Sequence, residues 1–145
     1  ILNFDTNNLK ELLLLGYFDA LKKIKSLDGI RYYINTVNDD YIISKIRNMD
    51  YKVLEKITKS TYIKLEVGSN IADIFLSKTL PILAQKTKNK DLNCIKDYVY
   101  ALVEYIAKEK DIYKYKVYDF DELLNLVKDN INKPANIIEL FVKSI

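Results

Sequence analysis

Hydrophobic residues return at three- and four-residue steps through most of this chain, the spacing of helices with one buried face. The stretch 68–85, GSNIADIFLSKTLPILAQ, is apolar nearly all round: Ile71, Ala72, Ile74, Phe75, Leu76, Leu80, Ile82 and Leu83. A helix lined this way is normally enclosed by others, so the pattern predicts a central helix here. Ser69 or Asn70 suits its N-cap. With Asn70 as cap, Asp73 is the third helical residue, where its charge favours the positive helix end. Pro81 has no N–H for the residue-77 carbonyl, which predicts a kink there or an end near Leu80.

The flanking segments read as amphipathic helices that wrap this rod. The first spans about Asn8 to Lys25, with Leu9, Leu12, Leu13, Leu21 and Ile24 as its inner face. Ile30, Ile34, Val37 and Tyr41 predict the next helix, continued by Ile42, Ile43 and Ile46. Asp50 caps a short helix through Val53, Leu54 and Ile57. Ser60 or Thr61 caps another through Tyr62, Ile63 and Leu65, ending at Gly68. Thr58 to Val67 is β-branched enough for a strand, but no second strand offers itself as a partner, so helix is preferred. Asp91 caps a strong amphipathic helix with Leu92, Ile95, Val99, Leu102, Val103 and Ile106 inward, and Lys96, Asp97, Glu104 and Lys108 outward. Residues 111–117 form an aromatic connector. Asp119 caps a helix through Phe120, Leu123, Leu124 and Val127, and Pro134 fits the first turn of a last short helix. The expectation is an all-α fold: one domain over 1–145, a compact bundle of about seven to eight helices.

Composition narrows the function more than the fold. With 49% hydrophobic residues, 145 positions suffice for one sizeable core. Net charge is +3 with the two signs interspersed and no run of five like charges, so nothing demands nucleic acid. There is no His, which removes imidazole bases and ligands. The one Cys, Cys94, makes neither an internal disulfide nor a zinc site alone, and reads as a buried structural thiol in a reducing compartment. Gly68 is the only Gly near a helix start, so no phosphate loop is present. Asp39/Asp40 and Asp119/Asp121/Glu122 fit helix capping and solvation better than metal binding or acid–base work. The expectation is a non-enzyme without cofactor or metal, acting through a surface such as a groove for a partner helix. No eighteen-residue apolar run offers a membrane span. The chain opens on Ile1 rather than Met, which reads as a fragment or a processed form, and an anchor could follow its end.

Three stretches in order resemble the Bcl-2 family of apoptosis regulators. The central motif of that family is Gly-x-Asn-Trp-Gly-Arg; here Gly68-Ser69-Asn70-Ile71-Ala72-Asp73 keeps Gly and Asn in register. The family's Trp-Asp before a downstream apolar helix is matched by Phe120-Asp121, which follows Asn70 at close to the family's interval. Upstream, Ile34, Asn38-Asp39 and Tyr41 follow the BH3-like pattern Leu-x-x-x-Gly-Asp-x-Phe. Together the matches cover about Ile30 to Val127, and their divergence is most similar to the poxviral members.

The resemblance implies a viral anti-apoptotic protein of the host-cell cytoplasm, at the mitochondrial outer membrane if an anchor follows. It implies a groove that holds the BH3 helix of Bak, Bax or Bim, floored by the start of the central helix and walled by 41–57 and 61–67. Tyr41, Ile46, Met49, Leu54, Ile57 and Leu65 would supply pockets, half of them expected to be plain core, and Asn70 would cap the helix or bond the ligand. Ala72 and Asp73 replace the motif's Gly and Arg. A carboxylate repels the ligand aspartate that the arginine pairs with, so Lys45, Arg47 or Lys64 would have to substitute. A fold-mate role against innate immune signalling adaptors and a helical subunit of a nucleic-acid complex are the competing readings, and a homodimer is left open.

Overall fold

Side-chain caps at helix starts set most of the architecture. The computed structural model describes residues 5–145. Asp5 starts α1 (Thr6–Lys25), its carboxylate accepting from the Asn7 N–H, and Ser26 ends it in the left-handed conformation. Asn38 caps α2 (Asp39–Arg47) and Asp50 caps α3 (Tyr51–Ser60). Asn70 caps α4, made of Ile71–Ile74, a widened turn Phe75–Thr79 and Leu80–Gln85. Then come α5 (Ile95–Glu109), α6 (Phe120–Asp129) and α7 (Ile137–Ser144). The fold is an all-α bundle, seven helices among the described residues. None of them is long and apolar enough to cross a membrane.

The enclosed helix is α5, not α4. Val99 through Glu104 are all buried in succession, and α5 packs against α2, α4, α6 and α7. In α4, Phe75, Leu76, Thr79, Leu80, Leu83 and Ala84 are buried, but Asp73, Ser77, Lys78 and Gln85 face solvent. Polar residues at those positions were the signal that α4 has a wet side. This assigns opposite outcomes to two substitutions. Ala101→Leu on α5 has no space to fill and should cost about 1–3 kcal/mol by overpacking. Ser77→Leu on α4 should change stability by less than about 0.5 kcal/mol. Urea unfolding of the pair checks this, and a reversed order would return α4 to the centre.

Pro81 does not stop α4, which runs on to Gln85. Its missing N–H is absorbed one turn earlier, where the Leu80 N–H reaches back five residues to the Phe75 carbonyl. The Thr79 hydroxyl in that wide turn meets the Thr58 hydroxyl of α3 at 2.9 Å in the core.

The helix expected across Ile30–Tyr41 forms only from Asp39. Tyr33–Ile34 is a short strand, β1, paired in parallel with β2 (Val117–Tyr118), with Tyr33 opposite Val117 and Ile34 opposite Tyr118. Tertiary pairing has taken a β-branched and aromatic run that local spacing reads as helix. The turn before it needs Gly29: φ is +100°, and a Cβ there would lie 2.2 Å from the Tyr32 carbonyl oxygen. Glu104, expected to face out, is buried and accepts from the N–H groups of Ile30, Arg31 and Tyr32.

Three further expectations change. No helix forms over 61–67: α3 ends at Ser60, Tyr62 adopts positive φ, and the segment runs as a loop to Gly68. Asp91 does not cap α5, which begins at Ile95; the Lys96 N–H is instead capped from α2 by Asp39 Oδ1 at 2.9 Å. Pro134 precedes α7 rather than opening it. Asn136 and Glu139 form the reciprocal cap, Asn136 Oδ1 accepting from the Glu139 N–H at 2.9 Å and Glu139 Oε2 from the Ala135 N–H at 2.7 Å.

Helix α1 lies outside the bundle. Phe18 rests on Tyr33 and Tyr115, Asp19 accepts from the Tyr33 hydroxyl at 2.9 Å, and Lys22 donates to the Gly29 carbonyl. The half-buried positions are Leu14, Leu15, Phe18, Leu21 and Lys22. Of the inner face read from the sequence, only Leu21 points inward; Leu9, Leu12, Leu13 and Ile24 are exposed.

Candidate partner-binding surface

The residues expected to form one groove divide three ways. Ile46, Met49, Leu54 and Ile57 are core side chains on the inner faces of α2 and α3 and of the link between them. Their pockets are already filled by the chain itself, as amphipathic spacing most often means. Tyr41 and Lys45 lie on the side of α2 that meets the start of α6. The Tyr41 hydroxyl donates to Asp121 Oδ2, and Lys45 Nζ sits 3.1 Å from Asp121 Oδ1 and 5.2 Å from the centre of the Tyr41 ring. The Asp121 bond raises the Tyr41 hydroxyl pKa. Burial alone would lower Lys45, but Asp121 outweighs it and the ammonium is held above its ordinary range. Burial opposes the charge on Asp121 in turn, yet Tyr41 and Lys45 together hold its carboxyl low. This cluster ties α2 to α6 and engages the two side chains that a groove would need free.

Asn70, Ala72 and Asp73 do come together, at the start of α4, and Leu65 lies in the loop before it. The Asn70 side-chain oxygen accepts from the Ala72 N–H at 3.0 Å and the Asp73 N–H at 3.3 Å, so Asn70 is a cap. Asp73 is exposed in the first turn and pairs with Arg47 of α2, Nη2 to Oδ1, at 2.7 Å. Of the three bases that could replace the motif arginine, Arg47 is the one beside Asp73. The pair is about half exposed on both sides, so its contribution to stability is small, about 1 kcal/mol or less.

A furrow of about 270 Å³ opens between the first turns of α3, the 61–70 loop and the start of α4. Tyr51, Glu55, Leu65, Glu66, Ser69 and Ile71 line it. Of the groove residues expected from the sequence, only Leu65 is in this set. Ile71 was read as core, and Tyr51, Glu55 and Glu66 gave no signal because solvated charge and stray aromatics carry no period. Two turns of helix, about 10 Å wide and about 11 Å long, occupy about 850 Å³. The furrow therefore fits one or two anchoring side chains of a helix lying on the surface, not a helix sunk to its axis.

Two other depressions are built around charge. One of about 420 Å³ lies at the Tyr41–Asp121 junction, and one of about 310 Å³ beside Glu104, Arg31 and Lys108. Cys94 is half-buried just before α5, and burial raises its thiol pKa, which keeps it protonated and unreactive. Among the described residues no three His, Cys, Asp or Glu side chains gather as a metal site. No protein-family model, curated protein or solved structure matches the chain.

Proposed function

We propose that the chain is a binding module for an amphipathic partner helix, acting by sequestration rather than catalysis. The ligands would be those implied by the Bcl-2 resemblance, the BH3 helices of Bak, Bax or Bim. The observation that carries this reading is the furrow at the start of α4, framed by α3 and the 61–70 loop where the resemblance puts the groove. Its size suits anchors at i and i+3 or i+4 of a surface-docked helix. Arg47, held at the first turn of α4 by Asp73, supplies the cation that a ligand aspartate requires.

Titration calorimetry with Bak, Bax and Bim helix peptides tests the proposal. The expected result is a Kd of about 10 μM or tighter for at least one peptide; silence at about 100 μM throughout overturns it. The Arg47–Asp73 pair gives a second readout. Asp73→Ala releases the guanidinium, so an aspartate-bearing peptide should bind roughly threefold to tenfold tighter, and the gain should vanish when that aspartate is replaced by alanine.

A further inference from the structure

Among the described residues, five of the thirteen exposed large apolar side chains lie elsewhere, on α1. At 100° per residue, Leu9, Leu13, Gly16, Ala20 and Ile24 fall within an arc of about 80°, opposite the edge that Phe18 and Lys22 dock on the bundle. Leu12 and Tyr17 flank this stripe. Leu9, Leu12, Leu13, Tyr17 and Ile24 are between 45% and 80% exposed. At about 200 Å² per large side chain they leave on the order of 600 Å² of apolar surface bare.

We propose that α1 pairs antiparallel with α1 of a second copy of this chain, forming a two-fold dimer through its outer stripe. Three observations choose that occupant. The bare area, extended by Gly16, Ala20 and the lysine stems, approaches the roughly 800 Å² per partner that a stable interface buries. The stripe is complementary to itself when reversed about its middle. Leu9 then meets Ile24 of the second copy, Leu13 meets Ala20, and the Tyr17 ring lies over Gly16. Nothing within 4 Å of Gly16 requires a glycine inside its own chain, although glycine weakens a helix interior. Close approach of a second helix accounts for it.

Charge fixes the direction. The first half of α1 and its cap carry Asp5, Lys10 and Glu11, one base against two acids; the second half carries Asp19, Lys22, Lys23 and Lys25, three bases against one acid. Antiparallel pairing sets the acidic half against the basic half and opposes the two helix dipoles. Parallel pairing would stack the lysine-rich ends.

Sedimentation equilibrium of the full chain from about 1 to 200 μM is the test. The expected result is a dimer with a Kd on the order of 10 μM, weakened at least about thirtyfold by Leu13→Glu with the far-ultraviolet circular dichroism unchanged, because Leu13 is exposed in the monomer. Orientation is read by cross-linking in a Cys94→Ser background. Gly16→Cys should oxidise to a covalent dimer. Leu9→Cys should not, since the two Leu9 positions stand about 22 Å apart in the antiparallel pair. A chain that stays monomeric at about 200 μM, a dimer indifferent to Leu13→Glu, or a Leu9→Cys dimer without a Gly16→Cys one overturns the proposal.

Discussion

Glu104→Ala should lower the unfolding free energy by about 3–4 kcal/mol, the largest loss expected from any polar substitution here. The carboxylate gathers three backbone donors at once: Oε1 accepts from Ile30 at 2.9 Å and Tyr32 at 3.1 Å, and Oε2 from Arg31 at 3.0 Å. It is 2% exposed, so the three donors depend on it. Leaving one buried donor unpaired costs about 1–3 kcal/mol. The adjoining cavity of about 310 Å³ lets water reach part of the loop, which keeps the total below the sum of three such losses. Glu104→Gln preserves volume and one acceptor but points an amide donor at other donors, so about half of the loss should remain. Urea midpoints at unchanged slope give both values.

The pH dependence has a definite sign. Burial raises the Glu104 pKa above its ordinary 4.5, outweighing the N–H bonds of Arg31, Ile30 and Tyr32 that pull it down. The folded state thus holds the proton more tightly than the unfolded one. Its contribution is fully present below pH 4.5 and declines as pH rises through the raised value, so the stability gap to Glu104→Ala should narrow over that interval. Amide exchange at residues 30–32 should accelerate in the variant. Helix α1 should loosen with them, because Lys22 is tied to the Gly29 carbonyl of the same turn. A loss below about 1 kcal/mol would mean the turn is held by β1 alone.

That turn also marks where reading the sequence stops working. Helices α3 and α6 were legible because Asp50 and Asp119 stand at their starts and apolar residues follow at helical spacing, whereas α2 and α7 were expected to open at Ile30 and Pro134 and instead begin after Asn38 and Asn136. What failed depends on partners far along the chain. Ile34 is paired with Tyr118, Glu104 with residues 30–32, and the start of α5 with Asp39; no local window contains both members of any of these. Helix α1 failed for a different reason. It is apolar on two opposite faces, and spacing alone does not tell which one meets the bundle. The candidate site was legible in Asn70 and Asp73, whose roles as cap and first-turn acid are local, and illegible in the four core residues assigned to the groove. Periodicity reports that a side chain is on an apolar face, not whether its own fold or a partner fills the space beside it.

Phe141→Ala should cost about 4 kcal/mol, and it tests whether α7 closes the bundle or merely rests against it. Phe141 is fully buried, and its ring stacks on that of Phe75 with centres 5.6 Å apart and planes 26° from parallel. Phe75 stands in the widened turn of α4, so this contact joins the last helix to the segment that Pro81 distorts. Truncating a buried phenylalanine removes its transfer free energy and leaves a cavity, together about 3–5 kcal/mol. Phe141→Leu retains most of the volume and should cost about 1–2 kcal/mol. Phe75→Ala should match Phe141→Ala, and the double variant should lose about 1 kcal/mol less than the two losses together, since the ring–ring contact is removed only once. Domains of this size hold about 5–15 kcal/mol in all. Phe141→Leu and a shallow urea series therefore keep the cycle measurable even if the double variant unfolds. Additive losses would separate the two rings energetically. A cost under about 1.5 kcal/mol for Phe141→Ala would mean that α3, α4, α5 and α6, which α7 packs against, already form a closed core without it.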